Sequence, residues 1–306
     1  MNEQELMRPG MGWIPDVPSV SDYDETHPKV APLLKKTKLA TVARPHGNGG
    51  TRAGRSSGAA AAAVPALSPA ADLRAYFPPI EDQGQLGSCI ANAAVGLVEY
   101  YEKRAGGKFL DASRLFVYKT TRNLMGVTGD TGAEIRNAMG ALVLFGAPPE
   151  RYWPYNVAKF DAEPTSFCYA FAENFKAIKY LRLDTPDVSG QALLDKIKTY
   201  LAAGLPSMFG FPVYQEFMDA PANAHVAYPA RKSKYYGGHA IVAAGYDDNL
   251  QITPNEKGAL LIRNSWGKSW GSAGYAWLSY KYVTKGLALD WWTLISEDWV
   301  DTGNFV

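Results

Sequence analysis

The stretch Arg263–Gly271 reads RNSWGKSWG and is the most specific string in the chain. Asn264 ends a run of apolar residues typical of a β-strand and precedes a Ser-Trp-Gly turn. An Asn side-chain oxygen can accept one imidazole N–H, and an adjacent indole such as Trp266 can cover that hydrogen bond against water. Asn264 could equally be only a turn residue. The string therefore predicts a site only if a histidine and a nucleophile accompany it.

A histidine in a suitable setting lies upstream of this string. His239 follows Gly237-Gly238 and begins the apolar run HAIVAAGY, which reads as a strand. The glycines leave one side of the ring open, while the strand fixes the other side by packing. Taken alone, a histidine at the start of a strand is more often a surface residue. His225 is the weaker choice as a base, because it lies in the loop-like context PANAHVAYPA.

The nucleophile is predicted in the stretch Asp82–Ile90, which reads DQGQLGSCI. A helical pattern begins there, so Cys89 stands at a helix N-terminus, where unpaired N–H groups and the helix dipole favour thiolate over thiol. Gln83 could aim its side-chain amide at an oxygen near the sulfur and, with the Cys89 N–H, stabilise an oxyanion. A lone cysteine is more often a small buried residue. Cys168 lacks a helix-start setting, and we interpret it as structural.

The periodicity of apolar residues changes along the chain. The first half is mostly helical in pattern, and the second half consists of short apolar runs separated by turn residues. This distribution predicts an α+β protein with a cleft between two lobes. The predicted helices are 89–104, 113–121, 132–145 and 189–203, and the predicted strands are 239–247, 258–266 and 274–280.

The strings QGQLGSC, GGHAIVAAGYD and RNSWGKSWGSAGY resemble the three signatures of the papain/cathepsin family of cysteine peptidases. Asp72-Leu73-Arg74 resembles the start of its mature domain, and the string YWPY at 152–155 resembles its aromatic-Pro-Tyr turn. The resemblance runs from about residue 72 to about residue 282. It implies a two-lobed papain-like fold, with a helical left lobe, an antiparallel β-barrel-like right lobe and the active-site cleft between them.

The resemblance also implies roles for single residues. Cys89 matches the nucleophile, His239 the general base and acid, Asn264 the residue that orients the base, and Gln83 the oxyanion-hole glutamine. The implied reaction is endopeptidase cleavage through a thiolate–imidazolium pair and a covalent thioacyl-enzyme, without a metal or an organic cofactor. The implied substrate-binding residues are Gly132, Ala133, Gly210, Gly238, Ala240 and Trp266.

Two positions depart from the family pattern, and one segment sets the expected specificity. Leu86 stands where many members have a disulfide cysteine, and Ile90 replaces the Trp that commonly follows the nucleophile. Neither change removes a catalytic group. The segment LPSMFGFPV, which includes Gly210 and Phe211, should supply the wall and floor of the main specificity pocket. Small and apolar side chains there favour a hydrophobic residue two positions before the scissile bond.

Composition divides the chain into three parts. These are an N-terminal arm at 1–45, a Gly/Ala/Ser/Pro linker at 46–71, and a peptidase domain at 72–306. The string GWIPDVP in the arm is similar to disulfide-poor bacterial members of the family. We expect the arm to be pro-like and regulatory, lying across the cleft and restricting access; a disordered tail is the alternative.

The arm has few apolar residues that could fix it to the domain. We expect Trp13, Ile14, Val17 and Tyr23 to be its anchors, and a short helix over 30–39. Acidic residues dominate the arm as far as Glu25, and the segment that follows is basic.

Bulk properties limit the partners and the compartment. The formal net charge of +1 gives no reason to expect nucleic acid or an anionic membrane as partner, and no window approaches the ~18 apolar residues of a membrane span. With two cysteines and no Sec-type signal peptide, we expect a cytoplasmic protein, or one exported without such a signal. The expected partners are peptide or protein substrates and cysteine-protease inhibitors, and we expect a monomer. A Cys-His acyl transferase or amidase and a non-catalytic papain-fold binding module are the alternative functions.

Overall fold

The computed structural model describes residues 9–39, 67–175, 179–219 and 223–305. Helices dominate the chain as far as Ala172, and the strands of one large, mostly antiparallel sheet dominate the rest, so the fold is α+β as predicted. Short 3₁₀ turns occur at Arg74–Tyr76, Glu150–Tyr152, Val157–Lys159 and Glu173–Phe175. The α-helices of the described residues are α1 Ala31–Leu34, α2 Cys89–Gly106, α3 Arg114–Met125, α4 Ile135–Leu144, α5 Ser166–Ala172, α6 Gly190–Ala202, α7 Gln215–Met218, α8 Lys281–Thr284 and α9 Glu297–Val300.

Eight strands of the described residues form one sheet. The strands are β1 Ala70–Asp72, β2 Lys179–Arg182, β3 Ser207–Tyr214, β4 His225–Val226, β5 Tyr235–Thr253, β6 Glu256–Arg263, β7 Tyr275–Ser279 and β8 Leu289–Ile295. They lie in the order β2-β8-β3-β5-β6-β7-β4, with β1 paired to β5. The pairings are antiparallel except between β4 and β7. The sheet is open at both ends, so the lobe expected to resemble a barrel is an open sheet.

The predicted helices are present, with shifted ends that have local causes. Helix α2 runs from Cys89 to Gly106 and is capped by Gly107, a left-handed residue with φ of 72° whose N–H donates to the Lys103 carbonyl. Helix α3 extends further than predicted, to Met125, and is capped by Gly126, which has φ of 68°. Helix α4 starts later than predicted, because the backbone around Ala133 is extended and pairs with Trp13 instead.

Sequence periodicity predicted β5, β6 and β7 but missed the other strands. Two of the missed strands, β3 and β8, are almost entirely buried. A strand buried on both faces reads as a continuous apolar run rather than as an alternation, so its period gives no signal. Strand β3 pairs with both β5 and β8. This position brings Gly210 and Phe211 alongside Ala240 and His239.

The arm is packed into the fold over its described residues, 9–39. Val30, Leu33, Leu34 and Leu39 are buried in the main apolar cluster. Of the expected anchors, Trp13 is buried and Tyr23 stacks on His27 and Tyr180. Val17 is 77% exposed, so it is not an anchor.

Other parts of the predicted arm and linker lie outside the described residues. These are residues 1–8 and 40–66. Strand β1 crosses the boundary predicted between the linker and the domain, with Ala70 and Ala71 in the linker range, and it pairs with β5 from Gly245 to Asp247. None of the helices in the described part of the chain is long and apolar enough to cross a membrane.

Candidate active site

Cys89 is the first residue of α2, at the end of a loop that two neighbouring segments brace. The thiol is free and fully buried. The Asp130 carboxylate accepts the Gly87 N–H at 3.0 and 3.1 Å and the Tyr118 hydroxyl at 2.5 Å. That hydroxyl in turn accepts the Gly132 N–H at 3.2 Å. Asp130 and Tyr118 therefore join the nucleophile loop to the predicted substrate-binding segment. Sequence reasoning missed both residues.

His239 lies in β5 and is oriented by Asn264 of the string RNSWGKSWG. Its Nε2 lies 2.8 Å from Asn264 Oδ1, and both side chains are buried. The same oxygen accepts the Ser265 N–H at 2.8 Å. The Trp266 ring centroid lies 4.6 Å from the imidazole centroid, so the indole covers this pair as predicted. His239 Nδ1 has no hydrogen-bond partner among the described residues, which leaves that nitrogen available for proton exchange.

Gln83 is held in place by Ser265. The Ser265 hydroxyl donates to Gln83 Oε1 at 2.6 Å, and the Gln83 N–H donates to the Ser265 carbonyl at 2.9 Å. These bonds fix which end of the amide carries the donors. Gln83 Nε2 donates to the Leu86 carbonyl at 2.9 Å and to the Gly10 carbonyl of the arm at 3.0 Å. Sequence reasoning missed Ser265, although it stands between Asn264 and Trp266 in the motif.

Residues 10–14, here called the blocking segment, run along the predicted substrate-binding residues as an extended chain. The Trp13 N–H donates to the Gly238 carbonyl at 3.1 Å. The Ile14 N–H donates to the Ala133 carbonyl at 2.9 Å, and the Ala133 N–H donates to the Gly12 carbonyl at 2.8 Å. The backbone of the blocking segment thus forms hydrogen bonds with both walls of the site.

Glycines make the close approach of the blocking segment possible. A Cβ atom at Gly210 would lie 1.9 Å from Trp13 Cε2, and one at Gly238 would lie 2.4 Å from the Trp13 carbonyl oxygen. On the arm itself, a Cβ at Gly12 would lie 1.8 Å from the Gly87 carbonyl oxygen. Real Cβ atoms do not approach backbone or ring atoms this closely, so each position requires glycine while the segment is in place.

The structure places the predicted site residues in two groups. Gly132, Ala133, Gly210 and Gly238 contact the blocking segment. Ala240 pairs with Gly210 in the sheet, and its backbone lies within hydrogen-bonding reach of the Cys89 thiol. Trp266 lies over the imidazole instead.

Burial by the surrounding protein keeps both reactive groups neutral. It raises the pKa of the Cys89 thiol to about 11, although backbone hydrogen bonds from Ala240, Gly12, Ile90 and Cys89 itself act in the opposite direction. Burial also lowers the pKa of His239 to about 4, against the effect of the Asn264 hydrogen bond. The helix N-terminus was expected to favour the thiolate. In this arrangement desolvation outweighs that effect.

The other cysteine and histidine considered for the site have different surroundings. Cys168 is buried in α5, where its thiol contacts the Tyr152 carbonyl at 3.7 Å. His225 forms β4 and pairs with Trp277 of β7. Within residues 9–39, 67–175, 179–219 and 223–305, no three His, Cys, Asp or Glu side chains are grouped so that they could hold a metal ion.

The chain matches known proteins along most of its length. The family model described as papain family cysteine protease matches residues 67–289. An uncharacterized peptidase C1-like protein of Acanthamoeba polyphaga mimivirus is 35% identical over 219 residues, covering 70% of this chain and 68% of that protein. Cathepsin K of Gallus gallus is 29% identical, covering 67% of this chain and 56% of its own length.

Solved structures agree with these matches. Xylellain, a cysteine protease from Xylella fastidiosa, superposes with a TM-score of 0.70 at 29% identity, covering 94% of this chain and 96% of its own. The digestive procathepsin L 3 of Tenebrio molitor superposes with a TM-score of 0.58 at 17% identity, covering 76% of this chain and 72% of its own; this likeness concerns the fold alone. The chain belongs to the papain family of cysteine proteases, and the expected resemblance is confirmed.

Proposed function

We propose that this papain-like cysteine peptidase cleaves peptide bonds with Cys89 as nucleophile, and that the blocking segment keeps it latent. The Cys89 thiol passes its proton to His239 Nδ1, and the sulfur attacks the scissile carbonyl carbon, forming a C–S bond and an oxyanion held by Gln83 Nε2 and the Cys89 N–H. His239 gives its proton to the leaving amine as the C–N bond breaks. His239 then takes a proton from water, whose oxygen attacks the thioester carbonyl. The C–S bond breaks, the acid is released, and His239 returns the proton to the Cys89 sulfur.

The observation that carries the catalytic part is one continuous set of hydrogen bonds. Asn264 Oδ1 lies 2.8 Å from His239 Nε2 and accepts the Ser265 N–H, and the Ser265 hydroxyl fixes the Gln83 amide. The general base and the oxyanion donor are therefore oriented by adjacent residues of one turn. This arrangement serves acyl transfer, because both groups must keep their geometry while the substrate changes shape.

Three features support latency. The Gly10 carbonyl accepts the hydrogen bond of Gln83 Nε2 that an oxyanion would need. Trp13 and its neighbours use the backbone groups of Ala133 and Gly238 that would bind a peptide. Burial also leaves Cys89 as a thiol and His239 as a neutral imidazole. A substrate must therefore displace the segment before the ion pair can form.

Hydrolysis of a small fluorogenic dipeptide amide tests the catalytic part. We expect the full-length chain to be slow, the Gly12→Ala chain to be faster, and Gly12→Ala/Cys89→Ala to be inactive. Equal rates with and without Cys89 would contradict Cys89 as the nucleophile. If both rates were no higher than the background rate, a non-catalytic binding module would be favoured. Transfer of the acyl group to an added amine with no free acid formed would instead favour an acyl transferase.

A further inference from the structure

The Trp13 indole lies in a pocket made by predicted substrate-binding residues. It is 7% exposed and packs against the Cα atoms of Gly210 and Gly238, where the absence of side chains makes room for the ring. Its backbone pairs with Ala133 and Gly238. If those residues bind substrate, the indole occupies the place of a substrate side chain. The inference that follows rests on the proposed function in this respect.

A buried carboxylate forms the floor of this pocket. Trp13 Nε1 donates to Asp290 Oδ2 at 3.1 Å, and Trp292 Nε1 donates to Asp290 Oδ1 at 2.7 Å. Asp290 is fully buried. Sequence reasoning missed it, because an acid beside buried tryptophans in β8 gives no recognisable motif.

The backbone of Asp290 is strained, and the Asp184 carboxylate holds it in this conformation. Asp290 has φ of 61°, a left-handed conformation that non-glycine residues rarely adopt. The Asp184 carboxylate accepts the Asp290 N–H at 2.7 Å and the Trp291 N–H at 2.9 Å. Strain of this kind persists where the surroundings fix it and is common at ligand sites. Asp184 thus fixes the orientation of the Asp290 side chain.

The neighbouring guanidiniums leave one oxygen of Asp290 to the pocket. Arg182 lies 3.4 Å from Asp290 Oδ1, but it is hydrogen-bonded to Asp184 at 3.0 and 3.3 Å. It also binds the arm, through the Asp16 carbonyl at 3.0 Å and the Asp22 carboxylate at 3.6 Å. Oδ2 is the oxygen that Trp13 contacts. When the arm leaves, Oδ2 loses that donor.

The charged residues around the Trp13 pocket give it no preference for a positively charged substrate side chain. Arg136 pairs with Asp16 at 2.7 Å and with Asp22 at 2.8 Å. Departure of the arm removes these two acids and leaves Arg136 and Arg182 opposite Asp184 and Asp290. The charges around the pocket then balance. A neutral side chain that donates one hydrogen bond suits the pocket better than a Lys or Arg side chain.

We propose that Asp290 selects substrates whose side chain two positions before the scissile bond is aromatic and donates a hydrogen bond, tryptophan above all. A phenylalanine side chain would contact the same pocket walls but would leave the buried carboxylate oxygen without a hydrogen-bond donor. An unsatisfied buried acceptor costs binding free energy. This adds a donor to the hydrophobic preference expected from the pocket segment. Trp13 is then a substrate-like side chain carried by the arm.

Peptide amides that differ only at that position test the proposal. They carry Trp, Phe, Leu or Lys, and they are cleaved by the full-length Trp13→Ala chain, whose pocket is vacated. A hydrogen bond to a charged group discriminates about tenfold or more, so kcat/KM for Trp should exceed that for Phe by about that factor. Equal values for Trp and Phe, or a higher value for Lys, would overturn the assignment.

Two variants in the same Trp13→Ala background show whether Asp290 is responsible. Asp290→Gly removes the carboxylate and tolerates the left-handed backbone, so the Trp-to-Phe ratio should fall to about one. Asp290→Asn also tolerates that backbone but keeps a single acceptor oxygen, so an intermediate ratio is expected. If the ratio of kcat/KM for the Trp peptide to that for the Phe peptide is the same in Asp290→Gly as in Trp13→Ala alone, the proposal is contradicted.

A further variant does not depend on the folding of the Asp290 variants. Trp13→Phe in the otherwise native chain removes the indole N–H and keeps an aromatic ring. We expect Cys89 labelling by the epoxide E-64 to be about tenfold faster, because the arm is held less tightly. An unchanged labelling rate counts against Asp290 as the group that binds the indole N–H.

The two proposals fail in distinguishable ways. If Trp13→Ala/Cys89→Ala cleaves the same peptides, the proposed peptidase mechanism is wrong whatever the ratio. If cleavage needs Cys89 and Trp and Phe peptides are cleaved equally, only the role of Asp290 is wrong.

Discussion

Two segments of the arm contact the domain through different chemistry. The blocking segment, residues 10–14, forms backbone hydrogen bonds across the site and buries one indole. Residues 16–39, here called the anchoring segment, form ion pairs and bury apolar side chains. The ion pairs join Asp16 and Asp22 to Arg136, Glu25 to Lys196, and Lys36 to Asp301; the buried apolar residues are Val30, Leu33, Leu34 and Leu39.

Because of this difference, we expect one segment to control access to Cys89 and the other to contribute to the stability of the fold. The anchoring segment contributes Val30, Leu33, Leu34 and Leu39 to the main apolar cluster, whereas the blocking segment contributes only Trp13 to its buried residues, so losing the anchoring segment should cost more folding free energy. It also keeps the blocking segment beside the site at a high effective concentration. If the blocking segment closes the site as proposed, a small interaction free energy of its own is therefore enough. Variants in the two segments should affect different measurements.

Trp13→Ala should have the largest effect on access. Removing a buried Trp side chain costs about 3 kcal/mol or more, and this loss falls on closure rather than on the fold. The rate of Cys89 labelling by E-64 should rise about 100-fold, while the thermal midpoint changes little. The exposed residue Val17 offers a control in Val17→Ala, which should leave both quantities unchanged. A large fall in the midpoint of Trp13→Ala would break the distinction between the segments.

Leu33→Ala should show the opposite pattern. Leu33 is buried in α1, and truncating a buried Leu costs about 2–3 kcal/mol of unfolding free energy. Urea unfolding should detect this loss, whereas labelling of Cys89 should change less than in Trp13→Ala. The exposed Val20 provides the matched control Val20→Ala. If Leu33→Ala speeds labelling more than Trp13→Ala does, the anchoring segment is the main barrier.

Asp22→Asn should have a moderate effect. The Asp22 carboxylate binds Arg136 at 2.8 Å and lies 3.6 Å from Arg182, in a mostly buried position. Removing its charge should cost about 1 kcal/mol or somewhat more. Labelling should become several-fold faster, and the difference from the native chain should shrink at high salt. The exposed acid Asp187 allows the control Asp187→Asn; a similar effect there would point to net charge instead.

The pH dependence of closure should be the smallest effect near neutrality. The closed site holds the pKa of His239 at about 4, and hydration on opening should return it toward about 6.5. The closed form binds the neutral ring, so its advantage is complete above about pH 6.5 and is lost as pH falls toward 4. Between pH 7.5 and 6, closure should weaken about three- to fourfold.

Titration of the Cys89 thiol should weaken closure at high pH, whereas titration of His239 weakens it at low pH. Its pKa is about 11 in the closed site and should fall toward about 8.5 on hydration. Its contribution to closure is therefore present below about pH 8.5 and lost as pH rises toward 11. The ratio of labelling rates in Trp13→Ala and the native chain reports closure at each pH. A ratio that grows on acidification would contradict this assignment.

The residues proposed to be catalytic could be located from the sequence because each stands in a short string with its own chemistry. Cys89 begins a strong helical pattern, His239 lies in an apolar strand, and Asn264 belongs to the most specific string. The position of Trp13 could not be predicted, because an extended segment that pairs with Ala133 and Gly238 has no periodicity of its own. Asp290 was missed for a related reason. Its role depends on a pocket that forms only when β3, β8 and the arm meet.

The central claim is that the blocking segment closes the site over Cys89 in a functional peptidase. The most direct measurement is the rate of E-64 adduct formation, followed by intact mass, in the native and Gly12→Ala chains. A Cβ at residue 12 would lie 1.8 Å from the Gly87 carbonyl oxygen, and overpacking of this kind should weaken closure by about 1–3 kcal/mol. We predict one adduct per chain, absent in Cys89→Ala, that forms about 10- to 100-fold faster in Gly12→Ala. Equal rates in the two chains, or an adduct that survives Cys89→Ala, would contradict the account.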